Sequence, residues 1–247
     1  MRKIAFLMAS AATGKLSGIL AHREKILRSI ASHDTQIDIF GLQEDPDKSH
    51  LGAIQSDYEA ALSTVEDLEC ALAAERAGYQ AAIIPCGGDP GVAPLREILT
   101  IPVVPPGTTA KHFCSMIGPR FSVLTTGKGP VRRMEAHERD GLLKYISVHP
   151  IGFTVPEVRV KQEEAFDAMV REGRKAMEEY GACSLTYGCM SMGFNMVDKR
   201  LTEEVGIPAI NPVTMAVKTA ETLIDLGITH SKLAYPVPPS LVGKLGR

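Results

Sequence analysis

Residues 77–91 read AGYQAAIIPCGGDPG. An Ala-Gly pair that ends a helix leads into Ala81–Ile84, a run with the length and apolar character of a buried parallel strand. Pro85 closes the run, and Cys86 follows with two glycines, Gly87 and Gly88, directly behind it. The same order returns at residues 180–189, YGACSLTYGC, where a strand over Cys183–Thr186 leads to Gly188-Cys189. After each cysteine a helical stretch runs to an Ile-Pro step, a short apolar strand, and a helix start containing Pro and Thr. These are LTIPVVPPGTTAKH at 99–112 and VGIPAINPVTMAVK at 205–218. The two halves are similar units, each with one cysteine at the carboxyl end of an equivalent strand.

Working outward, the first half opens with IAFLMASAATGK (4–15) and the second with FSVLTTGKGPVRR (121–133), each followed by a helix. Strands are expected at Ile4–Met8, Gln36–Phe40, Ala81–Ile84, Pro102–Val104, Phe121–Thr125, Tyr145–Val148, Cys183–Thr186 and Pro208–Ile210. Leu16, Ile19, Leu20, Ile26, Leu27 and Ile30 line one helix face. Ser56-x-x-Glu59 is a capping-box pattern that opens a helix running to about Gly78. Residues 162–180 form another helix, stopped by Gly181, and Thr214–Leu226 the last, stopped by Gly227. Strands alternating with helices give an α/β protein with parallel sheets.

The totals exclude several function classes. A net charge of −2, with no basic block, leaves no electrostatic footprint for nucleic acid. Aromatics at 5%, with no tryptophan, argue against base-stacking platforms. A small metabolite is the better partner. The opening MRKIAFLMASAA imitates a signal peptide, but an immediate amphipathic helix favours a first buried strand. No apolar run approaches the roughly 20 residues of a membrane span. The cysteines are Cys70, Cys86, Cys114, Cys183 and Cys189. An odd number without a secretory context fits reduced thiols in the cytoplasm. None form C-x-x-C pairs and the histidines are scattered, so no metal is expected.

Ligands of open α/β sheets bind beyond the carboxyl ends of the strands. Cys86 and Cys189 both occupy such ends, ahead of a helix. Gly87 and Gly88 leave the backbone bare for a substrate, and Gly188 clears space before Cys189. Asp89-Pro90 fits an N-cap with proline at the first helical position, although Pro94 is close enough to delay the regular helix. A lone cysteine at a strand end is usually a small hydrophobe, and Cys70, Cys114 and Cys183 are read that way. Two cysteines at matched positions point instead to paired acid/base catalysis. One thiolate takes a proton from a carbon acid, and the other thiol returns one to the opposite face. Backbone amides would hold the developing enolate oxygen.

Several motifs resemble the aspartate/glutamate/hydantoin racemase superfamily, and most closely its hydantoin racemase group. PCGGDPGVAPLREIL (85–99) resembles that group's first cysteine motif, and RFSVLTTG (120–127) its central strand. GCMSM (188–192) stands where the group carries Gly-Cys-Ala-Gly-Met, and GITHSKLAYPVPP (227–239) resembles its tail. The resemblance implies two Rossmann-like lobes with parallel sheets about a pseudo-twofold axis and an active site in the cleft between them. The lobes are interleaved: residues 1–107 and 213–247 form the first and 108–212 the second. It implies Cys86 and Cys189 as catalysts, no cofactor, a homo-oligomer, and a 5-substituted hydantoin or a relative such as allantoin as substrate. Expected substrate-binding residues are Ser10, Gly87, Gly88, Thr125, Thr126, Met190 and Ser191. Met8-Ala9-Ser10 departs from the group's Asn-Pro-Asn, and Met190-Ser191 from its Ala-Gly. Aspartate/glutamate racemase, arylmalonate decarboxylase and maleate isomerase are the alternative activities. A non-catalytic binding protein is the remaining alternative.

Overall fold

The computed structural model describes residues 1–8, 17–41, 54–127 and 145–244. Ser10 and the helix expected after Gly127 lie outside the described residues. The chain divides into two compact units. One comprises Met1–Pro85, Asp89–Pro105 and Ala216–Arg247; the other comprises Cys86–Gly88 and Pro106–Met215.

In the first unit, β1 (Arg2–Leu7), β2 (Thr35–Phe40), β3 (Ala81–Ile83) and β4 (Val103–Val104) form a parallel sheet in the order β2-β1-β3-β4. The residues at the chain start are thus a strand, with Ile4 beside Ile37 on one side and Ala81 on the other. Helices α1 (Ser17–Ile30), α2 (Asp57–Arg76) and α3 (Val92–Ile98) connect the strands. Cys70, Ala71 and Ala74 of α2 pack with Ala5, Leu7, Ala82 and Ile84. Small side chains on the helix let it approach the sheet closely. Ser56 caps α2 by accepting the Glu59 amide, as its sequence pattern indicated.

Asp89-Pro90 does not start α3. The helix begins at Val92 with Gly91 as its N-cap, at φ 73°, and Asp89 adopts φ 53°. The reason is Pro94. Were Pro90 the first helical residue, Pro94 would need an amide to bond the Pro90 carbonyl, and its ring would clash there. Starting at Val92 puts Pro94 in the first turn, where no amide partner is required.

The C-terminal tail fastens the far end of α3. Lys232 Nζ donates to the Arg96 and Glu97 carbonyls at 2.5 and 2.9 Å. His230 Nε2 lies 3.0 Å from the Leu99 carbonyl. A cation at the last turn satisfies carbonyls that the helix itself leaves open. Glu221, in the part of the last helix that belongs to this unit, accepts from the Ser32 amide at 2.6 Å and from Lys218 Nζ at 2.9 Å.

In the second unit, β5 (Phe121–Thr125), β6 (Tyr145–Pro150), β7 (Ser184–Tyr187) and β8 (Ala209–Ile210) repeat the order as β6-β5-β7-β8, again all parallel. Its helices are α4 (Pro106–Ile117), α5 (Val155–Val160), α6 (Gln162–Tyr180), α7 (Met190–Gly193) and α8 (Asp198–Val205). Helix α9 (Pro212–Leu226) begins in this unit. Gly173 of α6 lies so close to β7 that a Cβ there would meet Leu185 Cδ1 at 2.9 Å. α6 ends at Gly181, whose φ of 70° lets the Ala182 amide reach back to the Ala176 carbonyl. A buried polar chain links β5 to the edge strand β6: Ser122 Oγ lies 2.7 Å from Ser147 Oγ, which lies 2.8 Å from His149 Nε2.

Candidate active site

The two cysteines singled out by the sequence end equivalent strands, β3 and β7. The segments that carry them meet backbone to backbone. A Cβ on Gly87 would lie 2.8 Å from the Gly188 carbonyl oxygen and 3.2 Å from the Cys189 amide nitrogen. Only glycine fits that approach, because real Cβ atoms do not come within 3.0 Å of a neighbour. Gly188 in turn rests on Thr125: a Cβ there would meet Thr125 Oγ1 at 3.0 Å and Thr125 Cβ at 3.2 Å. Thr125, Gly188 and Gly87 therefore form a stack without spare room, with Cys86 and Cys189 as chain neighbours of its glycines. The contact explains why bare backbone is needed behind Cys86, a role distinct from the substrate access the sequence suggested.

Cys86 is half-buried, and the Gly88 amide donates to its sulfur at 3.4 Å. An N–H aimed at sulfur stabilises negative charge there. Cys189 is 9% exposed and extended, at φ −138° and ψ 127°, as the N-cap of α7. Its carbonyl accepts the Met192 amide at 3.1 Å and the Gly193 amide at 3.4 Å. Both thiols are in the free, reduced form. The other cysteines differ. Cys114 is fully buried, and desolvation pushes its thiol up to about 12. Cys70 is also fully buried and donates to the Phe40 carbonyl at 3.0 Å.

Of the expected binding residues, Gly87, Thr125, Thr126, Met190 and Ser191 are buried, and Gly88 is exposed. Gly87, Thr125 and Cys189 are brought together through Gly188. Met190 and Ser191 form the first turn after Cys189. Ser10 lies outside the described residues.

Two residues at this site were not singled out from the sequence. Arg159 of α5 donates from Nε to Ser191 Oγ at 3.2 Å. Burial pulls its guanidinium below the ordinary value, and the negative charge of a Cys189 thiolate opposes that pull. Asn211 secures the other end of α7. Its Nδ2 donates to the Gly193 carbonyl and to Asp198 Oδ1, both at 2.9 Å, and its Oδ1 accepts the Val213 amide at 3.0 Å. Thr154-x-x-Glu157, a capping box realised at α5, was the available sequence signal for the helix that carries Arg159.

Among the described residues, no group of three or more His, Cys, Asp or Glu side chains could hold a metal ion. No helix of the described residues is long and apolar enough to cross a membrane.

Comparison with known proteins agrees with this arrangement. Residues 23–220 match the Asp/Glu/hydantoin racemase family. A hydantoin racemase from Pseudomonas sp. strain NS671 is 32% identical over 233 residues, covering 90% of this chain and 88% of that protein. Allantoin racemase from Klebsiella pneumoniae superposes with a TM-score of 0.79 at 27% identity, covering 99% of this chain and 97% of the other. Allantoin racemase from Pseudomonas fluorescens superposes with a TM-score of 0.81 at 26% identity, covering 97% of each chain. These relatives exclude the reading of the chain as a non-catalytic binding protein. The chain belongs to the Asp/Glu/hydantoin racemase family and is a racemase.

Proposed function

We propose that the protein racemises a 5-monosubstituted hydantoin, or a related ring such as allantoin, by two-thiol acid/base catalysis without a cofactor. The observation that carries this reading is the close approach of Gly87 to the Gly188–Cys189 peptide, which joins the two cysteine-bearing segments. The names of the similar proteins supply the substrate class.

The chemistry follows from the substrate's acidity. The hydrogen on the ring carbon next to the carbonyl leaves as a proton to one thiolate. The C–H electron pair moves into the carbonyl and gives an enolate. The second thiol then delivers its proton to the opposite face of that carbon. Inversion leaves the first cysteine protonated and the second as thiolate, so the enzyme is poised for the reverse direction. Opposite protonation states are a requirement, and unequal surroundings supply them. Here Cys86 is half-buried with an amide on its sulfur, whereas Cys189 is nearly buried and opens a helical turn. Thr125, Thr126 and the amides around Gly88 are the groups we assign to holding the ring.

Proton NMR in D₂O tests the proposal. Separate enantiomers of several 5-substituted hydantoins, allantoin, aspartate and glutamate are mixed with the protein, and the α-hydrogen signal is followed against enzyme-free controls. Enzyme-dependent loss from both enantiomers of a hydantoin or allantoin, abolished as racemisation in Cys86→Ala and Cys189→Ala, supports it. Exchange confined to aspartate or glutamate refutes the substrate class. Racemisation retained by either cysteine variant refutes the two-thiol mechanism.

A further inference from the structure

We infer that His149 is a positioning residue for the stack of Thr125, Gly188 and Gly87: its neutral ring ties the edge strand β6 to its neighbours, β6 in turn holds Thr125, and a proton taken up by the ring loosens the stack. The inference rests on the reading of that stack as the floor of the two-thiol site. All of the residues it invokes belong to the second unit.

Among the described residues β6 has one strand neighbour, β5, because it ends the order β6-β5-β7-β8. Leu124 pairs with His149 and Thr125 with Pro150, at the carboxyl end of the two strands. The backbone beyond them closes on either side of Thr126. The Ile151 amide donates to the Thr125 carbonyl at 2.9 Å, and the Gly127 amide to the Phe153 carbonyl at 2.8 Å. Thr125 is the residue on which Gly188 rests, and Gly188 is where Gly87 meets the second cysteine segment. Whatever fixes the end of β6 therefore fixes the floor of the stack. With one strand neighbour, β6 depends on side chains for further anchorage, and His149 provides it. The ring is 4% exposed. Its Nε2 lies 2.8 Å from Ser147 Oγ, its Nδ1 lies 3.7 Å from Glu172 Oε2, and it meets the Tyr180 ring edge to face at 5.1 Å.

The hydrogens of this chain fit in one way. Ser122 and Ser147 are both buried, so each hydroxyl hydrogen needs an acceptor. With Nε2 as an acceptor, Ser147 donates to the ring and Ser122 donates to Ser147. The ring then carries its hydrogen on Nδ1, on the side of Glu172. An imidazolium has a hydrogen on both nitrogens and can only donate. Ser147 must then accept from the ring and turn its own hydrogen to Ser122, whose hydrogen loses its acceptor in the chain. Stranding a buried donor costs more than an ordinary hydrogen bond contributes, so the proton works against the links that anchor β6. The charged groups facing the ring come from α6. Burial lowers the His149 pKa from 6.5; Glu172 opposes this, Lys175 adds to it, and Glu179 opposes it less. Glu172 is also shared with Arg171 Nε at 3.3 Å. β5 contributes Ser122 and no titratable group.

The test joins an NMR titration of the His149 ring, identified as the signal missing from His149→Gln, with the pH dependence of α-hydrogen exchange in D₂O. The wild-type ring should titrate below 6.5. Ser122→Ala removes the hydroxyl that protonation strands, so its ring midpoint should rise by about one pH unit. An unmoved or lowered midpoint overturns the inference. His149→Gln keeps an acceptor for Ser147 and does not titrate. The ratio of its exchange rate to that of wild type cancels the titration of the thiols, which both proteins share. A displacement of about a few tenths of an ångström at the stack slows the protonated form about tenfold. Set to one at pH 8, the ratio should therefore rise about fivefold by one pH unit below the wild-type midpoint. A flat ratio overturns the inference. Should His149→Gln fail to fold by circular dichroism, Ser147→Ala, which cuts the chain beside the ring, replaces it in the same ratio, and a flat ratio there overturns it. Racemisation retained by Cys86→Ala or Cys189→Ala defeats the two-thiol reading and leaves the ring titration as it was. A flat ratio with both cysteine variants inactive defeats the role of His149 alone.

Discussion

Replacing Gly87 with alanine adds one carbon where the Gly188–Cys189 peptide already sits. That carbon would lie 2.8 Å from the Gly188 oxygen, 2.9 Å from its carbonyl carbon and 3.2 Å from the Cys189 nitrogen. All three are backbone atoms, so no side chain can rotate away. Ordinary contact begins at 3.4 Å, so one of the two cysteine-bearing segments must retreat by about 0.6 Å. Misplacing reacting groups by ~1 Å can lower a rate about 100-fold, so a loss of about 10- to 100-fold in kcat is expected. That corresponds to about 1.4 to 2.7 kcal/mol in the barrier. Overpacking destabilises the fold by about 1–3 kcal/mol, offset by about 0.4–1 kcal/mol because alanine restricts the unfolded chain. The melting temperature should therefore fall by only a few degrees. The assay is α-hydrogen exchange in D₂O beside a thermal melt. Gly88→Ala is the comparison, because a Cβ there would meet only Cys86 Sγ at 3.7 Å, an ordinary contact. Its loss in rate should be well below that of Gly87→Ala. Near-normal turnover by Gly87→Ala, or equal damage from Gly88→Ala, would refute the reasoning.

Glu221 and His149 should both make stability depend on pH, over different ranges. Burial pushes the Glu221 carboxyl up, but the Ser32 amide and Lys218 outweigh it, so its folded pKa lies below the unfolded value of 4.5. Its contribution is complete above 4.5 and is lost as pH falls through the folded value. Glu221→Gln should cost about 1–3 kcal/mol at pH 7, with the gap to wild type closing in acid, as read from urea midpoints. Burial lowers the His149 pKa from 6.5, and Glu172 only partly opposes it. The unfolded chain therefore binds the extra proton first, and stability falls as pH drops below 6.5. His149→Gln should flatten the change in melting temperature between pH 7.5 and 5.5; an unchanged slope would contradict this. Native alkylation should modify Cys86 well before Cys114, whose thiol burial pushes up to about 12. Equal rates would remove the distinction between the half-buried thiol and the fully buried one.

The strands were legible because buried parallel strands are short apolar runs closed by Gly or Pro. Phe121–Thr125 lies where its pattern put it, and the other strands differ by one or two residues at their ends. Cys86 and Cys189 stood out in the sequence because they share a repeated context, and each follows an equivalent strand in the structure. The start of α3 was half legible: Asp89-Pro90 is a strong local signal for a helix start, but Pro94, four residues after Pro90, lacks the amide such a start requires, and the helix is delayed to Val92 as that proline suggested. Arg159 was missed for a different reason. Its helix is too short to show a periodic face, and its significance lies in a contact with Ser191, 32 residues further on. The need for glycine at position 87 was half visible. The bare backbone could be read, but its tight neighbour, the Gly188–Cys189 peptide, could not.

The strand order of the first sheet returns in the second, with a thiol after the third strand in sequence each time. Because the two thiols lie on different stretches of one chain, a substitution beside one leaves the sequence around the other untouched. The Gly88 amide donates to the Cys86 sulfur, whereas Cys189 is followed directly by a helical turn. Each thiol can therefore be adjusted by itself.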